Sequence, residues 1–238
     1  MSAELWAGNG SVEVRPDGWL ALSRADAVDY NVAAAYGSGE GLEGLLGAVS
    51  AADVPAVVMV AGAALGEVQH LVDAGWVCIG SRAFMRLALA GGDAVTGPST
   101  VRPLGSDELE AVRALVGEVY DLPRELTGVA IPEDAVHDPD RTLWGVHDDS
   151  GALMACLAAV RIEDTLAIWS MATAPAERRR GYGRDLVQAV LADAAAQGAT
   201  ECLLHSSGEG EPLYYELGFE ELERWQMWSR PRWVLGRA

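Results

Sequence analysis

Between Leu166 and Gly198 the sequence runs from a strand pattern into a helix pattern through one short, unusual loop. Leu166–Thr173 reads as a strand, and Pro175 ends it. A helix begins near Gly183, carries Leu186, Val187, Val190, Leu191 and Ala194 on one face, and stops at Gly198. The connection is Arg178-Arg-Arg-Gly181-Tyr-Gly183. A strand that feeds a helix through so short a loop must lay that helix back across its own sheet, which commits the region to an α/β architecture. The loop also states a chemistry. A helix N-terminus presents backbone N–H groups and a favourable dipole, glycines let a ligand approach the backbone, and arginines add charge-assisted bonds. A diphosphate is the group such a seat suits.

The flanking elements fit the same architecture. Thr100–Pro103 is a short strand, and a helix follows from Ser106, with Leu109, Val112, Val116 and Val119 at helical spacing. Pro123 and Pro132 bracket a second helical region. Thr142–His147 and Ala152–Arg161 form strands around the turn Asp148-Asp-Ser-Gly151, and Glu163-Asp164 turns into Leu166–Thr173. Glu201–His205 is a strand, Glu211–Leu217 a short helix ended by Gly218, and Phe219–Trp228 a last strand.

The small, polar stretch Ala90–Ser99 reads as a linker, dividing the chain into a unit over residues 1–90 and one over residues 98–238. The first unit echoes the back half of the second. Gly39-Glu-Gly41 precedes a helix over Leu42–Ala51, then come a strand Ala56–Val60, a helix Gly66–Ala74 closed by Gly75-Trp76, and a strand Ser81–Leu89.

The balance of charge narrows the partners. The chain carries 35 acidic against 17 basic residues, a net charge of −18, which disfavours nucleic acid and anionic membranes and favours a cationic small molecule. Within that acidic chain Arg178, Arg179, Arg180 and Arg184 fall together. Cys78, Cys156 and Cys202 are widely spaced in apolar surroundings and read as buried free thiols, not as disulfides or a metal site, so no metal is expected. With no signal-peptide pattern at Met1–Glu4 and apolar runs too short for a bilayer, a cytoplasmic protein is expected.

Arg178-x-x-Gly181-x-Gly183 resembles the Q/R-x-x-G-x-G/A signature of the GNAT acetyltransferases. Met171-Ala-Thr173-Ala-Pro175 looks like that family's pantetheine-binding strand, and Leu213-Tyr-Tyr-Glu-Leu-Gly-Phe219 is similar to its closing L-Y-x-x-L-G-F signature. The resemblance implies a GNAT fold, a mixed and mostly antiparallel sheet flanked by helices, over residues 98 to about 230. The first unit would then be a degenerate partial copy serving as a scaffold, with Tyr36 where Arg178 aligns and Leu71 where Tyr214 does. It implies an acetyl-CoA-dependent N-acetyltransferase acting by direct transfer to an amine. The backbone of Met171, Ala172 and Thr173 would line the pantetheine of acetyl-CoA. The segment Arg178, Arg179, Arg180, Gly181, Tyr182, Gly183 and Arg184 would hold the diphosphate. Tyr214 would be the general acid, with Tyr215 the alternative if the helix register differs. Two positions depart from the family. Ser207 stands where Asn is frequent, and Ala167 stands where some members place a glutamate base. His205 is then the leading candidate base, ahead of Glu163. The acceptor is expected to be a small-molecule amine, with a monomer favoured because an internal pseudo-domain can stand in for a dimer partner. A peptide acceptor entering by strand addition and a non-catalytic acyl-CoA-binding module are the competing readings. Trp144, Trp169, Trp225, Trp228 and Trp233 could seat a cation on aromatic faces, but core packing is the preferred role for most of them.

Overall fold

A computed structural model describes residues 10–38, 40–89 and 100–235. The expected linker Ala90–Ser99, Gly39 and the N-terminal Met1–Glu4 lie outside the described residues. The chain forms two units: Met85–Glu220, and the described residues of Ser2–Phe84 together with those of Glu221–Ala238.

In the Met85–Glu220 unit the elements succeed one another much as the periodicity requires. They are β6 (Val101–Pro103), α3 (Leu109–Tyr120), α4 (Arg124–Ala130), β7 (Arg141–His147), β8 (Leu153–Ile162), β9 (Thr165–Thr173), α5 (Tyr182–Ala196), β10 (Glu201–His205) and α6 (Glu211–Glu216). β6, β7, β8 and β9 pair antiparallel in turn, and β10 joins β9 in parallel. The end of β5 (Val77–Ala88) lies on the far side of β10, where Arg86 and Glu201 pair at 2.6 Å. A parallel neighbour needs a crossover, and α5 supplies it. The apolar stripe Leu109, Val112, Leu115 and Val116 of α3 packs with Leu143, Cys156, Ala158 and Ala172 of the sheet. The α5 side chains Leu186, Val187, Val190, Leu191 and Ala194 are buried. Gly198, at φ +88°, ends α5 where a left-handed residue is required.

The other unit holds β1 (Ser11–Arg15), β2 (Gly18–Leu22), β3 (Asn31–Ala35), α1 (Glu40–Ala52), β4 (Val57–Val60), α2 (Val68–Asp73) and the first part of β5, with β11 (Glu220–Ser229) and α7 (Pro231–Leu235). β1, β2 and β3 pair antiparallel, β4 joins β3 in parallel, and β11 pairs antiparallel with β4 through Gln226↔Val60, Met227↔Met59 and Trp228↔Val58. Leu20, Leu45, Val49, Val58, Leu71 and Trp76 are core residues here. An antiparallel meander followed by helix, parallel strand and short helix is the succession of both units.

Trp144, Trp225 and Trp228 are buried, and Trp233 lies edge-on to Trp76 at 5.6 Å with the Arg230 guanidinium over both rings. That cation–aromatic cluster is internal to the protein. Cys156 and Cys202 are buried as expected, but Cys78 is exposed. It lies in the run Val77–Ser81 that opens β5 and is solvent-facing throughout, so its apolar neighbours in sequence do not enclose it. Among the described residues no helix is long and apolar enough to cross a membrane.

Candidate active site

Two breaks in regular pairing shape β9. Trp169 pairs with Ala158 and Ala172 with Cys156, so Ser170 and Met171 together face the single residue Leu157. This is a β-bulge, and Ser170 takes φ +47° to make it. On the other side, β9 pairs with β10 over Thr165–Ala167 against Glu201–Leu203. Beyond those three pairs the register ends among the described residues, which frees the backbone of Ile168–Thr173 on that side from the ladder. The strand identified from sequence as the pantetheine-binding segment is therefore the strand with unladdered backbone groups.

From Thr173 the chain turns through Pro175–Glu177 into the arginine-glycine loop. Arg179 at φ +67° and Gly181 at φ +97° both lie in the left-handed region, and α5 starts directly after. The first helical N–H groups of α5 have no partner one turn earlier within the helix, so they face the loop with the positive end of a 15-residue helix behind them. A side chain at Gly181 would meet nothing within 4 Å, so its glycine is required by its dihedral and the site beside it is open. Gly183 has the opposite reason. A Cβ there would come within 2.8 Å of Met171 Cε and 3.3 Å of Thr173 Oγ1, so glycine lets the helix start sit directly on the end of β9.

The arginines are largely committed to carboxylates. Arg178 pairs with Glu209 at 3.2 Å, Arg180 with Glu177 at 2.5 Å, and Arg184 with Glu216. Among the described residues Arg179 has no carboxylate within ion-pair distance. These pairs are exposed and worth little individually, so a multiply charged anion can exchange into them. The fixed part of the seat is the backbone.

Tyr214 and Tyr215 divide as α6 turns. Tyr214 is 6% exposed and Tyr215 47%. The Tyr214 ring lies edge-on to Phe219 at 5.4 Å, and its hydroxyl donates to Met171 Sδ at 3.3 Å. Burial pushes the Tyr214 phenol well above its ordinary value, with smaller contributions from Tyr120 and Cys202. At neutral pH it is a proton donor held beside the bulge. Tyr120, the last residue of α3, reaches the same place, and its hydroxyl donates to the Met171 carbonyl at 2.8 Å. Sequence reasoning missed Tyr120, which stands four residues after Val116 on the apolar side of its helix and so reads as one more packing residue; a phenol as the last residue of the helix was the available signal.

His205 is half-buried at the end of β10, beyond the last parallel pair, on the strand that lines the opening with β9. Ser206 follows it at 1% exposure, and its hydroxyl finds no hydrogen-bond partner among the described residues. Glu163 lies in the turn before β9, at the opposite end of that strand from Met171, a separation of about 25 Å at the usual rise per residue. Ser207 accepts the Gly210 N–H on its hydroxyl at 3.2 Å and the Glu211 N–H on its carbonyl at 3.0 Å, building the turn into α6. Ala167 is buried in the β9 ladder. Burial pushes the Cys202 thiol up, and the Cys156 thiol up to about 12, so neither is a ready nucleophile.

In the other unit the loop before α1 is closed. The Asp17 carboxylate lies where a Cβ at Gly37 would stand 2.2 Å from Oδ1, and a Cβ at Gly41 would stand 2.8 Å from Asp17 Cβ. Leu71 is fully buried in α2.

The model of the acetyltransferase (GNAT) family matches residues 109–219. The chain is similar in structure to a GCN5-related N-acetyltransferase from Kribbella flavida, 19% identical, over 97% of this chain and 96% of that one at a TM-score of 0.65. It is similar to a GCN5-related N-acetyltransferase from Sphaerobacter thermophilus, 16% identical, over 90% and 76% at 0.65. A functionally unknown conserved protein from Staphylococcus epidermidis, 9% identical, matches over 97% and 98% at 0.66. At these identities the likeness is one of fold, and it is the mixed sheet flanked by helices expected from the sequence.

Proposed function

Because the chain belongs to the GNAT acetyltransferase family through residues 109–219, we propose that it moves an acetyl or short acyl group from acetyl-CoA to a small-molecule amine by direct attack in a ternary complex. The observation that carries this reading is the convergence on Met171. The unladdered end of β9, the start of α5 at Gly183 and the protonated Tyr214 all meet at Met171, and the left-handed Gly181 opens the same helix start.

In this reading the backbone of Met171, Ala172 and Thr173 lines the pantetheine arm, and the loop from Arg178 to Arg184 binds the diphosphate. The nitrogen of a neutral amine attacks the thioester carbon, and the C–S bond breaks to release a thiolate. Tyr214 gives that sulfur its proton. The proton lost by the amine leaves through His205, and solvent returns one to Tyr214. An amine acceptor is supported by the net charge of −18, which raises the local concentration of cations around the protein.

The test is release of free thiol from acetyl-CoA by the full chain over a panel of small primary amines, with peptides as a second panel. Amine-dependent release with the small molecules is expected. Release with peptides alone would replace the acceptor class, and saturable acetyl-CoA binding without release for any amine would leave a binding module.

A further inference from the structure

Tyr120 makes a contact that its packing does not require. Tyr120 is 43% exposed, so a hydrogen bond from its hydroxyl contributes little to stability. Yet the phenol is held firmly. Asp121 takes φ +52° and closes α3 by returning its N–H to Gly117, and the Leu122 N–H bonds the same Gly117 carbonyl. A Cβ at Gly117 would stand 3.0 Å from Thr127 Cγ2, so α3 and α4 are in close contact where the chain turns. The helix end is thus fixed, and it aims one hydroxyl at one carbonyl.

That carbonyl is the one the bulge singles out. Met171 has no registered partner on β8 and lies beyond the β10 pairing. A backbone carbonyl has two lone pairs, and Tyr120 takes one at 2.8 Å. The second can accept an N–H. An attacking amine needs such an acceptor, because its lone pair points at the thioester carbon only if its N–H bonds are held elsewhere. Tyr214 is on the same residue through the sulfur, so the carbonyl and the proton donor are held in one geometry.

We propose that Tyr120 is a positioning residue for the acceptor: its hydroxyl fixes the Met171 carbonyl, and that carbonyl orients the amine for attack. This rests on the amine-acceptor reading above. Tyr120 exchanges no proton in this role.

The experiment uses the full chain, acetyl-CoA and propylamine as the probe acceptor, with thiol release as the readout. Tyr120→Phe removes the hydroxyl and keeps the ring. The expected result is a fall in kcat of about tenfold from loss of orientation. The KM for acetyl-CoA should stay within about twofold, the midpoint of the pH–rate profile should not move, and thermal stabilisation by acetyl-CoA should be retained. A merely structural tether would instead lower thermal stability and acetyl-CoA affinity together, and that result would overturn the proposal. So would a kcat within about twofold of wild type. Absence of propylamine-dependent release by the wild-type chain, with acetyl-CoA still bound, would overturn the amine-acceptor reading and this assignment with it; wild-type kinetics in Tyr120→Phe would overturn the assignment alone.

Discussion

The two loop-to-helix junctions, one ahead of α5 and one ahead of α1, are built on the same plan and end in opposite states. Each joins a strand to a helix that crosses over to a parallel neighbour, β9 to β10 and β3 to β4. Ahead of α5, the loop has left-handed residues, arginines and open space at Gly181. Ahead of α1, the Asp17 side chain lies against Gly37 and Gly41, so the protein's own carboxylate stands where an external anion would have to enter. The short helices that follow differ in kind too, Tyr214 in one and the fully buried Leu71 in the other. The same succession of elements thus carries an open loop in one unit and, in the other, a loop that lacks arginines and is occupied by the half-buried Asp17. We propose that the cofactor site and the chemistry belong to the Met85–Glu220 unit and that the other serves as a scaffold.

The largest effect should come from the residue that the comparison sets against Leu71. Tyr214→Phe keeps the ring against Phe219 and deletes the proton, and general acid catalysis is worth about 10²–10⁴-fold. We expect kcat to fall by at least about tenfold, since a thiolate already leaves well, with acetyl-CoA affinity nearly unchanged. Tyr215→Phe, on an exposed side chain, should be silent. An active Tyr214→Phe would erase the catalytic half of the contrast.

Next in size is the seat itself. At free acetyl-CoA about a hundredfold above Kd, ligand binding stabilises the native state by about 2.7 kcal/mol. Gly181→Asp should lose that gain. Gly181→Ala meets the same backbone strain of about 1–2 kcal/mol without the charge. Melting both variants with and without acetyl-CoA separates strain from anion repulsion, and equal ligand gains in the two would remove charge from the account.

A smaller effect concerns acid stability of the Met85–Glu220 unit. Glu108 accepts from Arg102 at 2.7 Å and pairs with His147 at 3.0 Å, and the Arg102 hydrogen bonds hold its carboxyl below the ordinary value. A lowered folded-state pKa contributes stability above the unfolded value of about 4.3, and that contribution is lost as pH falls through the folded value. Glu108→Gln should therefore lower thermal stability at pH 7 and make no difference near pH 2. A deficit that persists in acid would mean packing, not charge.

Smallest is Asp17→Asn. It removes the internal anion from the start of α1, which a helix dipole favours by about 0.3–1 kcal/mol. The melting temperature should drop by a few degrees at most, and no second acetyl-CoA site should appear, because this loop also lacks arginines. A new site would show that Asp17 alone closes it.

The fold of the Met85–Glu220 unit was legible because its signals are local. Strand, proline, glycine pair and helix face follow one another, and β10 and the face of α5 stand where the pattern puts them. β3 was not legible. It contains Ala33-Ala-Ala35, which favour helix by propensity, yet all five residues of Asn31–Ala35 are buried as a strand between β2 and β4. Partners far along the chain override the local preference there. β11 was found as a strand, but no local pattern says which sheet it joins, and its register with β4 is set by Val58–Val60. The bulge was hidden as well, since Ser170 carries no glycine to advertise its positive φ. With it went the meaning of Tyr120, whose partner is a backbone atom.

The central claim is one diphosphate seat per chain, at Gly181. Titration calorimetry of the full-length chain with acetyl-CoA tests it most directly. The account predicts a stoichiometry of one that persists in Asp17→Asn and vanishes in Gly181→Asp; two sites of comparable affinity, or one that survives Gly181→Asp, would contradict it.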